Sequence, residues 1–230
     1  MKTMKIGVLG TGVVGQTLAA KLAELGHDVA VGTRSVAKTM AHTESGPYGL
    51  PPLSVWLQQN PGARVETFAD AAQHGEIVVN ATSGMGSLQA LQQAGADNLA
   101  GKILLDTSNP LDFSRGVPPT LSVANTDSLG EQIQRTFPAA KVVKTLNTIT
   151  AGLMVNPRQV GDGNHAIFVS GNDAAAKAQV AQWLAEWFGW QHVIDLGDIT
   201  TARGTEMYLP LWLRMMFALG TPMFNIQVVK

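Results

Sequence analysis

The sequence contains no cysteine, which excludes disulfide bonds and thiolate chemistry. It also lacks an excess of charge of either sign: 16 Lys and Arg stand against 17 Asp and Glu, and there is no basic or acidic block. This balance predicts neither a nucleic-acid partner nor an anionic membrane surface. The longest apolar run, Met207 to Leu219, is interrupted by Pro210 and Arg214 and is too short to span a bilayer. We therefore expect a soluble, cytoplasmic protein.

Several acid–base signatures of known enzyme classes are missing as well. Neither of the two tyrosines, Tyr48 and Tyr208, has a lysine four residues later, as short-chain dehydrogenases require. The five histidines show no ligand spacing, so we predict no metal site. The Gly-x-Ser-x-Gly turn of serine hydrolases is also absent. We assign no certain catalytic residue from the sequence.

A glycine motif stands at the start of the chain. A short apolar run that begins at Lys5 ends in Gly-x-Gly-x-x-Gly, and apolar residues at helical spacing follow. A strand, a glycine turn and a helix in this order bind a dinucleotide pyrophosphate, because the backbone can approach the phosphates at the helix N-terminus. The predicted cofactor-binding residues of this turn are Gly10, Thr11, Gly12, Val13, Val14 and Gly15.

The residues after the second predicted strand, 29–32, indicate whether the dinucleotide is NAD or NADP. It is followed by Thr33, Arg34 and Ser35, with Lys38 one helical turn beyond. An NAD site usually has a carboxylate here, which would repel the 2′-phosphate of NADP, whereas a guanidinium binds that phosphate. We predict that these four residues bind NADP(H). The alternative, that Arg34 and Lys38 only solvate a surface loop, stays open.

The rest of the chain alternates strands and helices after a glycine- and proline-rich insertion at 41–64, which is long for a loop in a compact domain. We predict further strands at 64–68, 77–80, 102–106, 141–146, 165–169 and 191–196, and helices at 54–59 (capped by Ser54), 69–74, 85–94, 127–137, 173–188 and 202–219. This order predicts an α/β fold of the doubly wound Rossmann type with a mostly parallel sheet. We place an NADP-binding domain at 1–150 and a small C-terminal α/β part at 151–230.

Polar residues follow the predicted strands at the edge where an open parallel sheet binds its ligands. The residues placed there are Ala81, Thr82, Ser83, Ser108, Asn109, Asn147 and Thr148. Ser and Asn are also common turn residues, so the set carries the prediction better than any single member. Asn147 and Thr148 are the candidates for a role beside the nicotinamide.

The last predicted helix, 202–219, is apolar on nearly every face. Such a helix is normally buried on both sides. We expect it to form a homodimer interface or a lid over the site.

Taken together, these residues resemble the NADPH-dependent reductases of coenzyme F420, a 5-deazaflavin, over essentially the whole chain. The motifs that carry the resemblance are the glycine turn, Thr33-Arg34-Ser35 with Lys38, Asn109-Pro110-Leu111, Val142 to Thr148, Asp195 to Gly197 and Arg203-x-x-Glu206-x-x-x-Pro210. The cytoplasmic domains of six-transmembrane metalloreductases are similar as well.

The resemblance implies a cofactor arrangement. Thr11, Arg34, Ser35 and Lys38 would hold the phosphates of NADP. The nicotinamide would be positioned by Thr82, Ile149 and the backbone of Ala151. The deazaflavin would lie in the cleft between the Rossmann domain and the C-terminal part.

A hydride transfer between nicotinamide and a flavin-like ring needs no acid–base pair from the protein, because the cofactors supply the chemistry. We therefore expect an NADP(H)-dependent oxidoreductase whose small-molecule hydride acceptor is a deazaflavin or a flavin. Two alternatives stay open: a reductase of small carbonyl or imine compounds, and a binding protein that senses NADP(H) without turning it over.

Overall fold

The computed structural model describes residues 2–46 and 49–230 of the chain. Tyr48 and the neighbouring Pro47, which belong to the predicted insertion, lie outside the described residues. The strands are β1 (Lys5–Leu9), β2 (Asp28–Thr33), β3 (Ala63–Thr67), β4 (Ile77–Asn80), β5 (Ile103–Asp106), β6 (Leu111–Asp112), β7 (Thr120–Leu121), β8 (Lys141–Thr145), β9 (Ala166–Ser170) and β10 (His192–Gly197).

The described helices surround this set of strands. They are α1 (Val13–Glu24), α2 (Val36–Ala41), α3 (Leu53–Gln59), α4 (Phe68–His74), α5 (Gly84–Ala94), α6 (Ala96–Leu99), α7 (Leu129–Thr136), α8 (Ala151–Val155), α9 (Ala174–Trp183), α10 (Ala202–Met207) and α11 (Leu209–Leu219). A turn of π-helix, Leu184–Phe188, extends α9, and short 3₁₀ turns lie at 157–159, 161–163 and 199–201.

Eight strands form one sheet in the order β10-β9-β8-β5-β4-β1-β2-β3. All neighbours are parallel except β8 and β9, which are antiparallel. The chain runs outward from β1 to β3, returns to β4 on the other side of β1, and continues outward from there. The predicted doubly wound, mostly parallel Rossmann sheet is confirmed, and the point of reversal between β1 and β4 is where such folds bind ligands.

Apolar residues pack on both faces of the sheet. One cluster joins side chains of β1 and β2 to helices α1, α3, α8 and α9, and includes Leu18, Trp56 and Trp183. The other cluster joins Leu9 and Val78 to helices α4 to α7 and the start of α10. The central strands β1, β2, β4 and β5 are therefore nearly continuous buried runs, as parallel strands covered on both faces are.

The C-terminal part continues the same sheet, because β9 and β10 extend it beyond β8. The division into domains at residue 150 stays a prediction. None of the described helices has the length and apolar character that a membrane span needs.

The single helix predicted at 202–219 is wrong: α10 ends at Met207 and α11 begins at Leu209. Pro210 has no N–H to donate into a continuing helix, which favours the break. Burial on both sides is also wrong within this chain, since only Leu209 and Leu213 of α11 are buried. The helix at 54–59 is confirmed, but it begins at Leu53 with Pro52 as its cap residue, so Ser54 is not the cap.

Candidate functional site

The glycine turn lies where β1, α1 and β4 meet. Gly10 has a φ of +117°, which other residues rarely adopt, and a Cβ at this position would lie 2.5 Å from the carbonyl oxygen of Ala81. A Cβ on Gly15 would lie 2.1 Å from the carbonyl oxygen of Gly10. Both glycines are therefore required by close backbone packing, as the motif predicts.

Gly12 differs from its two neighbours in the motif. A Cβ there would meet no atom within 4 Å, so the space in front of this residue is open. Gly12 is the N-cap residue of α1, and it has no side chain that could bond to the N–H groups of the first turn. The neighbouring Val13 is exposed. The first N–H groups of a helix have no partner within the helix, and in α1 they follow directly on this open position. This end of α1 fits the pyrophosphate of a dinucleotide.

Gln16 connects the glycine turn to the insertion. Its buried side-chain amide donates to the carbonyl oxygens of Thr11 (3.0 Å) and Pro51 (3.4 Å). A cleft of about 360 Å³ lies between the turn, α2 and the insertion, and Lys38 and His42 line it. The insertion thus forms one wall beside the glycine turn, a placement that its composition did not indicate.

The residues after β2 divide into two groups. Arg34 and Lys38 are exposed, and neither forms a salt bridge with any described residue. Ser35 caps α2, its hydroxyl accepting from the backbone N–H of Lys38 at 3.4 Å. Thr33 is buried, and its hydroxyl is hydrogen-bonded to that of Thr39 at 2.7 Å. Two cations are therefore available to an anion, whereas the Thr33 side chain holds α2 in place.

A second cleft, of about 190 Å³, lies over the reversal point of the sheet. Six residues predicted from the sequence line it together: Val14, Ala81, Thr82, Ser83, Ser108 and Asn109. The remaining lining residues are Gly84, Thr107, Leu111 and Phe113. Every residue of this lining is neutral, so the cleft offers hydrogen-bonding groups and apolar surface but no acid or base.

Thr82 is held in this cleft by Asn80, the last residue of β4. The side-chain oxygen of the fully buried Asn80 accepts from the hydroxyl (2.7 Å) and the backbone N–H (3.3 Å) of Thr82. Its side-chain nitrogen donates to Ser87 (2.7 Å) and Asp106 (2.8 Å). Asn80 was not predicted as a site residue, although a polar side chain at the end of an apolar strand could have indicated a role at this edge of the sheet.

Asn109 and Asn147 form a pair across the turns after β5 and β8. Asn109 donates to the backbone carbonyl of Asn147 at 2.8 Å, and the side chain of Asn147 donates to that of Asn109 at 3.0 Å. Leu146, just before, has a φ of +61°, an unusual conformation for a side chain of its size. This turn aims Asn147 at Asn109. Strain of this kind persists where the surroundings impose it, often at functional sites.

The remaining predicted residues follow directly in the chain. Thr148 is buried, and its hydroxyl oxygen has no hydrogen-bond partner among the described residues. Ile149 is buried against the core, and Ala151 is the first residue of α8. This stretch therefore sits beside Asn109 through Asn147, although it does not line the 190 Å³ cleft.

Three buried charged residues, Lys144, Asp106 and Glu206, lie beneath these turns, and the sequence did not predict that they meet. The Lys144 ammonium, on a side chain only 1% exposed, donates to Asp106 and Glu206 at 2.8 Å each. Burial alone would lower the pKa of Lys144, but the charges of the two carboxylates outweigh it and raise that pKa above its usual value. The position of Lys144 inside an apolar strand could have indicated a buried ion pair, since lysine is rarely fully buried unless it is paired.

The family described as NADP oxidoreductases, coenzyme F420-dependent, matches residues 5–110 of the chain. A crystal structure from Arthrobacter sp. FB24, described as a candidate F420-dependent NADP reductase, is 60% identical. It superposes with a TM-score of 0.95, and the alignment covers 99% of this chain and 100% of that one.

Two curated relatives are more distant. The F420-dependent NADP reductase of Methanothermobacter marburgensis is 26% identical over 219 residues, which cover 92% of each chain. The rat metalloreductase STEAP3 is 32% identical over 215 residues. That alignment covers 90% of this chain but only 38% of the rat protein, so the chain corresponds to well under half of the metalloreductase.

The glycine turn generates a test in which two substitutions should act differently. Gly15→Ala places a methyl group against the carbonyl of Gly10, so we expect a loss of about 1–3 kcal/mol in the free energy of unfolding, measured with urea. Gly12→Ala meets no protein atom and should cost at most about 1 kcal/mol, because alanine is a poorer N-cap residue than glycine. Its methyl group would enter the space that the motif predicts for a phosphate, so we expect NADPH affinity to fall at least about tenfold.

Gly86→Ala is the matched control, because its Cβ also meets nothing within 4 Å but lies inside α5. It should leave NADPH affinity unchanged and should not lower stability, since alanine is favoured over glycine inside a helix by about 0.5–1 kcal/mol. Unaltered NADPH binding by Gly12→Ala would show that the phosphates do not pass over Gly12.

Proposed function

The chain belongs to the coenzyme F420-dependent NADP oxidoreductases, and on that basis we propose that it transfers hydride between NADP(H) and a deazaflavin or flavin-like acceptor. The chain is an NADP-dependent oxidoreductase by family. The observation that carries the acceptor proposal is the neutral lining of the cleft over the sheet reversal. When bound, the two cofactors supply the redox chemistry, and a site without acid or base suits that division of labour.

The adenosine end of the dinucleotide is proposed to lie over the end of β2. Arg34 and Lys38 are exposed and free of salt bridges with described residues, so both can bind a 2′-phosphate. Ser35 shapes this end by capping α2, and Thr33 acts through Thr39. The backbone from Thr11 to Val14 would take the pyrophosphate.

The nicotinamide end is proposed to lie over the turns after β4, β5 and β8. Thr82, Asn109 and Asn147 are already oriented by hydrogen bonds, so they lose little conformational freedom when they position a ring. Ala81, Ser83, Ile149 and the backbone of Ala151 complete the proposed contacts. Thr148 follows Asn147, and its buried hydroxyl has no hydrogen-bond partner among the described residues, so it could bond to the nicotinamide half.

The direct test mixes purified protein with NADPH and coenzyme F420 and follows the reduced-nicotinamide absorbance. We expect its loss to match reduction of the deazaflavin one for one, with FMN, FAD and a quinone as parallel acceptors. If NADPH binds but none of these is reduced, the acceptor proposal is wrong.

That negative result would favour one of two alternatives. Turnover of small carbonyl or imine compounds that Asn147→Ala abolishes would support a reductase in which Asn147 or Thr148 polarises the substrate. Tight NADP(H) binding without any turnover would support a sensor.

The proposed 2′-phosphate contact predicts the effect of Arg34→Ala. Loss of one charged hydrogen-bonding partner should cost about 1.5–3 kcal/mol, so NADPH affinity should fall roughly ten- to a hundredfold. NADH affinity should hardly change, since NADH has no 2′-phosphate. Arg64→Ala is the control, because Arg64 pairs with Asp28 at the opposite end of β2. Equal weakening of NADPH and NADH would rule out phosphate recognition by Arg34.

We also propose that two copies associate through α11. Leu211, Phe217 and Leu219 are 57%, 52% and 59% exposed, and Arg214 is the only charged residue of the helix. An exposed helix with so little charge fits a surface that meets an identical copy about a two-fold axis.

Light scattering after size exclusion tests this association. The wild type should elute as a dimer, and Leu211→Glu with Phe217→Glu should convert it to a monomer, because two buried charges per copy cannot be hydrated. Val55→Glu on α3 adds a charge at another half-exposed apolar side chain and should leave the dimer intact. A monomeric wild type at micromolar concentration would contradict the proposal.

A further inference from the structure

The ammonium of Lys144 bonds three segments of the chain at once. It donates to Asp106 of β5 (2.8 Å), to Glu206 of α10 (2.8 Å) and to the backbone carbonyl of Ser108 (2.6 Å). An ammonium has three protons, so each has one acceptor. Ser108 immediately precedes Asn109, which means that Lys144 holds the turn that carries the predicted nicotinamide contact.

Asp106 fastens the same turn from its other side. Its second carboxylate oxygen accepts from the backbone N–H (3.1 Å) and hydroxyl (2.7 Å) of Ser108. It also accepts from Asn80 at 2.8 Å, and Asn80 in turn fixes Thr82. The turns after β4 and β5 are therefore joined beneath the cleft by one set of buried hydrogen bonds.

Glu206 brings α10 and α7 into this set. Its carboxylate accepts from the backbone N–H groups of Leu129 (2.8 Å) and Gly130 (2.9 Å) at the start of α7. A further ion pair, Arg203 with Glu131, joins the same two helices. Within this set, Lys144 is the group that bonds α10 to the turn after β5.

Such a buried group of charges is not the most stable way to fill a core. Apolar side chains of similar volume are often equally or more stable, because they avoid the cost of desolvating ions. The group touches the cofactor turns at Ser108 and Asn80, so its location suggests a role in their geometry.

We propose that Lys144 is a positioning residue for the nicotinamide half of the dinucleotide, acting through Ser108 on Asn109. This inference rests on the proposed function only in taking NADP(H) as the ligand, and it does not depend on the acceptor. Removal of the Lys144 ammonium should therefore have a selective effect. The nicotinamide half of the dinucleotide should lose contacts, whereas the adenosine half, which we propose binds over β2, should keep its contacts.

The test compares two ligands, NADPH and adenosine 2′,5′-bisphosphate, by calorimetric titration. The second ligand contains the 2′-phosphate and adenosine but no nicotinamide. The test variant is Lys144→Met with Glu206→Gln, which removes one positive and one negative charge and so keeps the net charge of the buried group. We expect NADPH affinity to fall about tenfold, the loss of roughly one hydrogen bond, with adenosine 2′,5′-bisphosphate within about twofold of wild type.

Glu206→Gln alone is the matched control, because it alters α10 but leaves Lys144 bonded to Asp106 and Ser108. It should bind both ligands within about twofold of wild type. Lys177→Met is a second control, since this buried lysine similarly joins Asp195 (2.7 Å) and the carbonyl of Gly197 (2.8 Å), away from the cleft. It should lower stability without changing either affinity.

Asn109→Ala keeps the proposal testable if the Lys144 variant does not fold. This variant should show the same selective loss of NADPH affinity, and a variant that bound NADPH like wild type would overturn the proposal. Unchanged affinities in a folded Lys144 variant, or equal losses for both ligands, would overturn it as well. A wild type that bound neither ligand would refute the NADP assignment itself, whereas failure to reduce a deazaflavin would not affect this comparison.

Discussion

The backbones of β1, α1 and β4 approach so closely at the sheet reversal that no side chain fits between them. Gly10 lies against Ala81, and Gly15 lies against Gly10, with distances of 2.5 and 2.1 Å from each hypothetical Cβ to the neighbouring carbonyl oxygen. This contact puts the free N–H groups of α1 beside the turn after β4. The clustering of Thr82, Ser83 and Val14 around one cleft follows from that restriction on space.

The two ends of this site are built in different ways. Around Asn109 and Asn147, the turns stand on buried polar residues whose hydrogen bonds leave few alternative conformations. At the other end, Arg34 and Lys38 are exposed; Arg34 precedes α2, and Lys38 lies on this short helix, none of whose residues is buried. In the proposed function, the alignment of two rings falls to the first end, where the side chains are fixed, and the binding of a phosphate falls to the second end, which supplies positive charge.

Much of the fold could be predicted from local patterns. The glycine turn, the alternation of strands and helices, and the polar strand ends all depend on neighbours in sequence, and their elements appear within a few residues of the predicted bounds. The inward orientation of the Thr33 side chain could not be predicted in the same way, because it depends on a hydrogen bond to Thr39. The partnership of Lys144 with Asp106 and Glu206 spans long sequence separations, and no local pattern specifies which buried charges will meet. The break at Tyr208 could have been anticipated from Pro210.

The reversed direction of β9 has a consequence for anything attached to the C-terminus. Because β9 runs against β8, its first residue, Ala166, lies beyond the carboxyl end of β8, at the edge of the sheet that carries the cleft. The tail is held there, since Ala166 donates to the carbonyl of Ile226 and Asn225 bonds to the adjacent His165. A protein joined by a short flexible linker to this tail would therefore be held at the edge of the sheet that carries the cleft, at an effective concentration of about a millimolar.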